Sequence, residues 1–327
     1  DDIQSRQSTD DAISLASDSS VSLKHSASAK LTTTSTGVTV TGTCTATAFS
    51  GDGSALTGLS SGLSSDAQYN TVAGTNAGDS FSGTDPVDNT LIGYDAGTAI
   101  TTGSRNTILG SNAGKDMTEG NNNVCMGYTA GQSITTGMSS VCIGVGAGLS
   151  ITSAHQLMYI GTSAGRNSTS AVNNVGLGNY ALHSCTTGSN NTCTGLDSGY
   201  NLTTGSNNCF IGYRAGKAVT SGGDNILIGD RVATSLTVGY INTVIGAEAG
   251  SALTSGYYNS SFGGYAGNQI TTGNNNLCLG FQAGQGGSPS GSITTGSNNV
   301  VLGNNSISNI YCADTTISSS DQRDKTD

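Results

Sequence analysis

An all-β fold, a repetitive parallel β-roll or β-solenoid with seventeen-residue rungs, is predicted by three features of this 327-residue chain. Glycines recur at 93, 110, 127, 144, 161, 178, 195, 212, 229, 246, 263 and 280, each step being seventeen residues. Large side chains are scarce: there is no Trp, aromatics make 5%, and Gly contributes 49 residues. Such a chain cannot offset backbone entropy by filling a thick core, so it needs a thin core repeated many times or partner chains that complete it. Finally, Thr, Val and Ile stand at fixed places in the period, where pleated backbone suits them.

Around the anchor glycine the unit reads N-x-x-Φ-G-x-x-A-G-x-x-Φ-T-T-G. The first Φ column runs Ile92, Leu109, Met126, Ile143, Ile160, Leu177 and onward to Leu279; the second, seven residues after the anchor, runs Ile100, Met117, Ile134, Ile151, Leu202 and onward to Ile270. A helix of about ten residues would have to cross two glycines each time, so helices are excluded. Two short strands and two turns per rung are expected instead. Anchors such as Gly110, Gly127, Gly144, Gly195, Gly212 and Gly246 and the Ala-Gly pairs suit tight corners, and the last glycine, as at Gly103 and Gly137, suits a left-handed turn position. Insertions beside Pro86 and around GGSPSG at 286 to 291 break the period without losing register, as surface loops of a solenoid do. Thirteen to fourteen rungs at strand spacing would extend about 60 Å.

Two polar columns accompany the glycines. Asn precedes the anchor by four places at Asn106, Asn123, Asn191, Asn208, Asn225 and most other copies, and Thr follows it by eight at Thr101, Thr135, Thr203, Thr271 and every copy between. Stacked rungs would turn the Asn column into an amide ladder, and the Thr column would pack methyls and pair hydroxyls. The copies at 157 to 188 depart most: Leu157 replaces Asn, Ala154 and Ala171 replace the last glycine, and Ala181-Leu182 replaces Ala-Gly. A local bulge or a site is expected there.

Eight cysteines include Cys125, Cys142, Cys193 and Cys278 at one repeat position that elsewhere holds Leu91, Ile108, Leu227 or Val244. They are read as small buried hydrophobes with free thiols, and Cys125 with Cys142 as the pair best placed for a disulfide. No metal site or cofactor is expected. There is no C-x-x-C, His25, His155 and His183 stand alone, and Asp79, Asp85 and Asp88 read as a solvated loop. The net charge of -10 with no basic run argues against nucleic acid and anionic membrane as partners. No apolar run is long enough to enter a bilayer as a spanning segment. Recurrent carboxylate pairs and aromatic platforms, which glycan cleavage requires, are missing, so an enzyme is not expected.

Four segments result. Residues 1–20 are polar and acidic without a core-forming pattern. Residues 21–69 form a small β module, with Val21, Leu23, Leu31, Val38 and Val40 alternating, Phe49, Leu56 and Leu59 around Gly-Asp-Gly, and a Ser-rich linker. Residues 70–303 are the repeat. Residues 304–327 are a cap, with Ile310 and Tyr311 closing the roll, followed by a charged stretch that reads as the start of something further. With no initial Met and no signal peptide, the chain reads as part of a longer protein.

The seventeen-residue unit resembles the head repeats of trimeric adhesins and, more closely, repeats in bacteriophage tail fibres. LTTTSTGVTVTGTCTATAFSGDGSALTGL is similar to a module of structural proteins in marine and cyanobacterial phages, and SSSDQRDKTD resembles the start of the endosialidase-type intramolecular chaperone of tail fibres and spikes. In that family the chaperone drives trimerisation and is released by cleavage between Ser and Asp with a Ser-Lys dyad. By resemblance, Ser320 would be the nucleophile, cleavage would precede Asp321, and Lys325 would be the partner. The family's Arg, hydrophobic, Lys becomes Arg323-Asp324-Lys325 here, and the chaperone body does not follow, so this chain is not expected to cleave itself. The resemblance implies a homotrimer in an extracellular virion fibre, assembled in the reducing cytoplasm of its host. It also implies a host surface glycan or receptor as partner, with contact residues near 79 to 88, 154 to 185 and 285 to 292. An ice-binding solenoid, suggested by the Thr column, and a cellular trimeric adhesin are the alternatives.

Overall fold

The computed structural model describes residues 12–15, 21–25, 28–35, 37–43, 64–83, 86–288 and 290–309, in two units divided between Gly58 and Leu59. In the first unit β1 (Ala12–Leu15), β2 (Val21–His25), β3 (Ser28–Thr34) and β4 (Gly37–Val40) form an antiparallel sheet in chain order. Strand β1 lies inside the segment read as patternless, pairing Ala12 with Lys24 and Leu15 with Val21. The meander buries little: Leu23, Val38 and Val40 are exposed.

The second unit is the roll. Strand β5 (Ser64–Ser65) pairs antiparallel with β6 (Thr71–Ala73) and covers the first edge. From β6 the sheet is parallel through β7 (Thr90–Ile92), β8 (Thr107–Leu109), β9 (Val124–Met126), β10 (Val141–Ile143), β11 (Met158–Ile160), β12 (Val175–Leu177) and β13 (Thr192–Thr194). It continues through β14 (Cys209–Ile211), β15 (Ile226–Ile228), β16 (Thr243–Ile245), β17 (Ser260–Phe262) and β18 (Leu277–Leu279) to β19 (Val300–Leu302). Each strand pairs with the next copy of itself, as in Val141↔Met158. Both insertions leave this register intact, since Thr71 pairs with Thr90 and Leu277 with Val300.

Each rung has one strand, not the two expected. The second apolar column contributes a single inward side chain between turns, and Ile100, Ile134, Ile151 and Leu202 are fully buried there. The corners still stack, because their amides bond to the next rung rather than within a strand: Gly97 N donates to Ala113 O at 3.0 Å and Thr101 N to Thr118 O at 3.0 Å. Within each strand only the middle residue faces in, as the pleat requires of three residues. Leu91, Ile108, Cys125, Cys142, Phe210, Leu227 and Val244 are fully buried, with the Ala column (Ala96, Ala113, Ala130) and the second Φ column completing the core. One chain therefore closes its own core.

Glycine is demanded for two reasons. The anchors take positive φ, +136° at Gly110, +131° at Gly127, +129° at Gly144, +127° at Gly195, +132° at Gly212 and +138° at Gly246. A Cβ at Gly110 would also lie 2.6 Å from the carbonyl oxygen of Gly127 on the next rung. The last glycine of the unit does not take the left-handed conformation expected of it. Close approach alone fixes it, since a Cβ at Gly103 would lie 2.5 Å from Gly120 O. Left-handed backbone falls instead on the second residue after the anchor, such as Asp95 and Arg214, and on the residue before the Asn column, such as Asn207 and Tyr258.

Candidate functional site: the ladders and faces of the roll

The Asn column is interior. Asn106, Asn123, Asn191, Asn208 and Asn225 are buried, and their amides chain the rungs together. In Asn208 the backbone N–H and Nδ2 both donate to Asn191 Oδ1 at 3.0 Å, while Nδ2 also donates to Gly222 O at 2.9 Å. Asn225 repeats the pattern on Asn208 and Gly239. Asn106 repeats it on Asn89 and Gly120, and Asn191 on Asn174 and Gly205. Asn123 takes the Asn106 oxygen through its backbone N–H and gives Nδ2 to Gly137 O. Each amide thus satisfies the last glycine's carbonyl in its own rung and the following rung's N–H, groups that would otherwise be orphaned in the core.

At the first rung a carboxylate replaces the missing amide. Asp66 Oδ1 accepts from Gln68 N and Asn70 N, and Oδ2 from Asn70 Nδ2, each at 2.9 Å. Desolvation pushes the Asp66 carboxyl upward, but the hydrogen bonds from Asn70 and Gln68 outweigh it and hold it below the ordinary value.

The Thr column bonds differently from the expected hydroxyl pairing. Thr101 Oγ1 donates to the carbonyl of Thr118 at 3.2 Å, Thr135 to Thr152 O at 3.0 Å, Thr203 to Thr220 O at 3.0 Å, and Thr271 to Thr294 O at 3.1 Å. The same carbonyl of Thr118 also receives the N–H groups of Thr101, Thr102 and Gly103. This carbonyl is the hub of the third corner, the turn that follows the second apolar column, and the hydroxyl is spent on it.

No bulge interrupts the drifted rungs: β10 to β13 keep their register. Two local exchanges replace it. Ser140 stands in the Asn column, its N–H taking the Asn123 oxygen at 3.0 Å and its hydroxyl accepting from Leu157 N at 3.4 Å; the amide ladder resumes at Asn174. In the core Tyr159 fills the middle strand position, fully buried, and neighbours shrink around it. Gly176 replaces its stacking partner, and Ser168 replaces the second-column aliphatic and meets Tyr159 Oη at 3.0 Å. Leu182, at φ +54° where most other rungs place glycine and one places Ala233, is fully buried. Met138, His155 and Val172 add a small parallel bridge at the third corner, and His155 Nδ1 accepts from Met138 N at 3.1 Å.

Cys125, Cys142, Cys185, Cys193 and Cys278 are buried free thiols, and the Cys125–Cys142 pair is not bridged. Burial pushes Cys185 up to about 12 and Cys278 up to about 11, and a hydrogen bond to Cys125 together with burial raises Cys142. Cys142, Cys185, Cys193 and Cys278 therefore stay protonated and unreactive in the fold. Cys209 differs, standing at a half-buried outward position of β14.

Outside, the roll has unlike faces. The outer residues of β6 to β19 include no charge at any position and are dominated by Thr, Val, Ile, Leu and Met. Leu109, Met158, Ile160, Ile211, Ile226 and Leu279 are exposed there, and Tyr94, Tyr128, Val145, Leu196 and Phe281 extend the face just past the anchor. The next corner collects most of the described ion pairs: Lys115–Asp95 at 2.9 Å, Lys217–Asp197 at 2.8 Å, Arg214–Asp197 at 3.5 Å and Arg231–Glu248 at 2.8 Å, with Arg231 also reaching Asp230, just past its anchor, at 3.2 Å. His183 is not alone, as its sequence context suggests, but stacks on Tyr200 at 4.7 Å and 1°, and Lys217 Nζ lies over the same ring, 5.4 Å from its centroid. Burial and the nearby Arg166 push the His183 imidazole down, which keeps it neutral at pH 7. These rings lie one rung apart and use their faces on each other.

Asp79 and Asp88 are exposed, and no group of three metal-ligating side chains occurs among the described residues. Among them, too, no helix is long and apolar enough to cross a membrane. Cys44, Phe49, Leu56, Leu59, Asp85, Ile310, Tyr311, Cys312, Ser320, Asp321 and Lys325 lie outside the described residues. No family model, curated protein or solved structure matches the chain, so the established kinship is architectural: a β-solenoid consistent with elongated structural or adhesin-type proteins.

Proposed function

We propose that this chain is a structural, non-enzymatic segment of an extracellular virion tail fibre, trimeric, that spaces or presents a receptor-attachment region to a host surface. The observation that carries the reading is the unbroken register of fourteen parallel strands from β6 to β19, held by an amide ladder and a glycine column rather than by a single large core. Nearest-neighbour stacking of this kind produces length, since each added rung is supported by the one before it. The tail-fibre assignment adds the resemblance of the repeat and of SSSDQRDKTD, and the junction at Ser320 and Asp321 belongs to it as the place where a chaperone would be released. The test is solution mass by light scattering with small-angle scattering. A mass three times that of one chain with a rod-like profile is the expected result; a compact single chain would defeat the reading.

A further inference from the structure

We propose that the uncharged outer face of the parallel sheet is where this chain meets further copies of itself, aligned rung to rung. The inference deepens the trimeric reading above and rests on it. Three observations point to this face and this occupant. The first is the charge distribution: the strand columns contain no ionisable carboxylate, amine or guanidinium over fourteen strands, while the described ion pairs gather on the next corner, with Asp230, paired to Arg231, the one charge in the column just past the anchor. A solvated sheet face ordinarily alternates polar residues outward, and a long, uncharged apolar face is an association surface.

The second observation is area. Thirteen spacings of about 4.8 Å and a width of about 13 Å, from the first strand residue to the residue past the anchor, give roughly 800 Å². That is about what one partner contributes to a standard stable interface. The third is periodicity. Outward side chains form ridges repeating at strand spacing along the whole sheet, and a partner that interdigitates throughout must carry the same repeat over the same length. A second copy of this chain supplies it, with Val, Ile, Leu and Thr columns of matching pitch.

Cys209 is a built-in reporter, because it is the half-buried thiol on this face while five other described thiols are interior. The experiment uses the full chain with Cys44→Ser and Cys312→Ser, so that labelling reads Cys209, and compares it with the same chain carrying Leu109→Glu and Ile211→Glu. Thr136→Glu with Thr204→Glu, exposed at the third corner, is the control. The expected result is an oligomer in which Cys209 resists maleimide. The face variant should fall to the mass of one chain with its β circular dichroism retained and its Cys209 labelled, while the control stays assembled. An oligomer that survives the face substitutions with Cys209 freely labelled would overturn the inference and leave the trimeric reading standing. A parent chain with the mass of a monomer would overturn both. Should the face variant fail to fold, the protection of Cys209 from maleimide in the parent, against its full labelling in the unfolded chain, decides the matter alone.

Discussion

Rungs 189 to 280 and rungs 140 to 188 are built to one backbone from different side chains. In the first stretch the Asn ladder is continuous from Asn191 to Asn276 and the last glycine of every unit is present. In the second, Ser140 and Leu157 interrupt the ladder, Ala154 and Ala171 replace glycine, and a buried Tyr159 is accommodated by Gly176 and Ser168. Yet strand pairing is the same in both, and so is the anchor: Gly161 at φ +136° and Gly178 at +133° match Gly195 and Gly212. The contrast separates what the roll cannot vary, a backbone conformation and a rung-to-rung distance, from what it can exchange, core volume and the acceptor of a buried N–H.

The largest effect should therefore be the same in both stretches. Gly161→Ala and Gly212→Ala each place a Cβ within 2.5 Å of backbone on the next rung at positive φ. Each is expected to cost about 4 kcal/mol or more, or to prevent folding, as read by thermal unfolding. A tolerated substitution at 161 alone would mean that the drifted rungs are looser than their register implies.

Next in size come the ladders, where the two stretches should differ. Asn208→Ala removes the acceptor for Asn225 and the donor to Gly222 O and should cost about 2–3 kcal/mol. Ser140→Ala, at the interruption, removes a hydroxyl that donates to Met138 O at 3.3 Å and accepts from Leu157 N at 3.4 Å, both long, and should cost about 1 kcal/mol in the same assay.

Smaller still is the polar contact inside the exchanged core. Tyr159→Phe strands the Ser168 hydroxyl and should cost about 1 kcal/mol, and Ser168→Ala in that background should return part of it. Additive losses in the double-mutant cycle would show that the two groups are not coupled.

The smallest effect belongs to the exposed end. Asp66 has its carboxyl held low in the fold, so its contribution is present above its unfolded value and is lost as pH falls through the lower folded value. Unfolding midpoints of the parent should decline below about pH 4 more steeply than those of Asp66→Asn, whose amide does not titrate. Parallel curves would remove Asp66 from the account of the first rung.

Much of the architecture was legible because one period of seventeen fixes strand, corner and stacking partner together. The buried place of Cys125, Cys142, Cys193 and Cys278 followed from their exchange with Leu and Val. What the period could not decide is which of two adjacent apolar residues faces inward: Leu91 is buried while Ile92, its neighbour, lies on the outer face. The pleat settles that only once the strand's three residues are known. The missing second strand has a similar cause, since Ile100 is apolar because it plugs the core, not because its neighbours extend. Tyr159, Gly176 and Ser168 come from different columns of different units, and their volumes become complementary only when the rungs stack. The His183–Tyr200 pair was within reach, because both residues follow their anchors by five places in successive units.

The central claim is that one continuous register runs through the drifted rungs, and native-state hydrogen exchange along the strands tests it most directly. The account predicts that the amides of Met158, Val175 and Thr192, which bond to Asn174, Asn191 and Asn208 of the following rungs, are protected as strongly as those of Ile226 and Thr243. A band of fast exchange across 157 to 188, between two protected stretches, would contradict it and divide the roll in two.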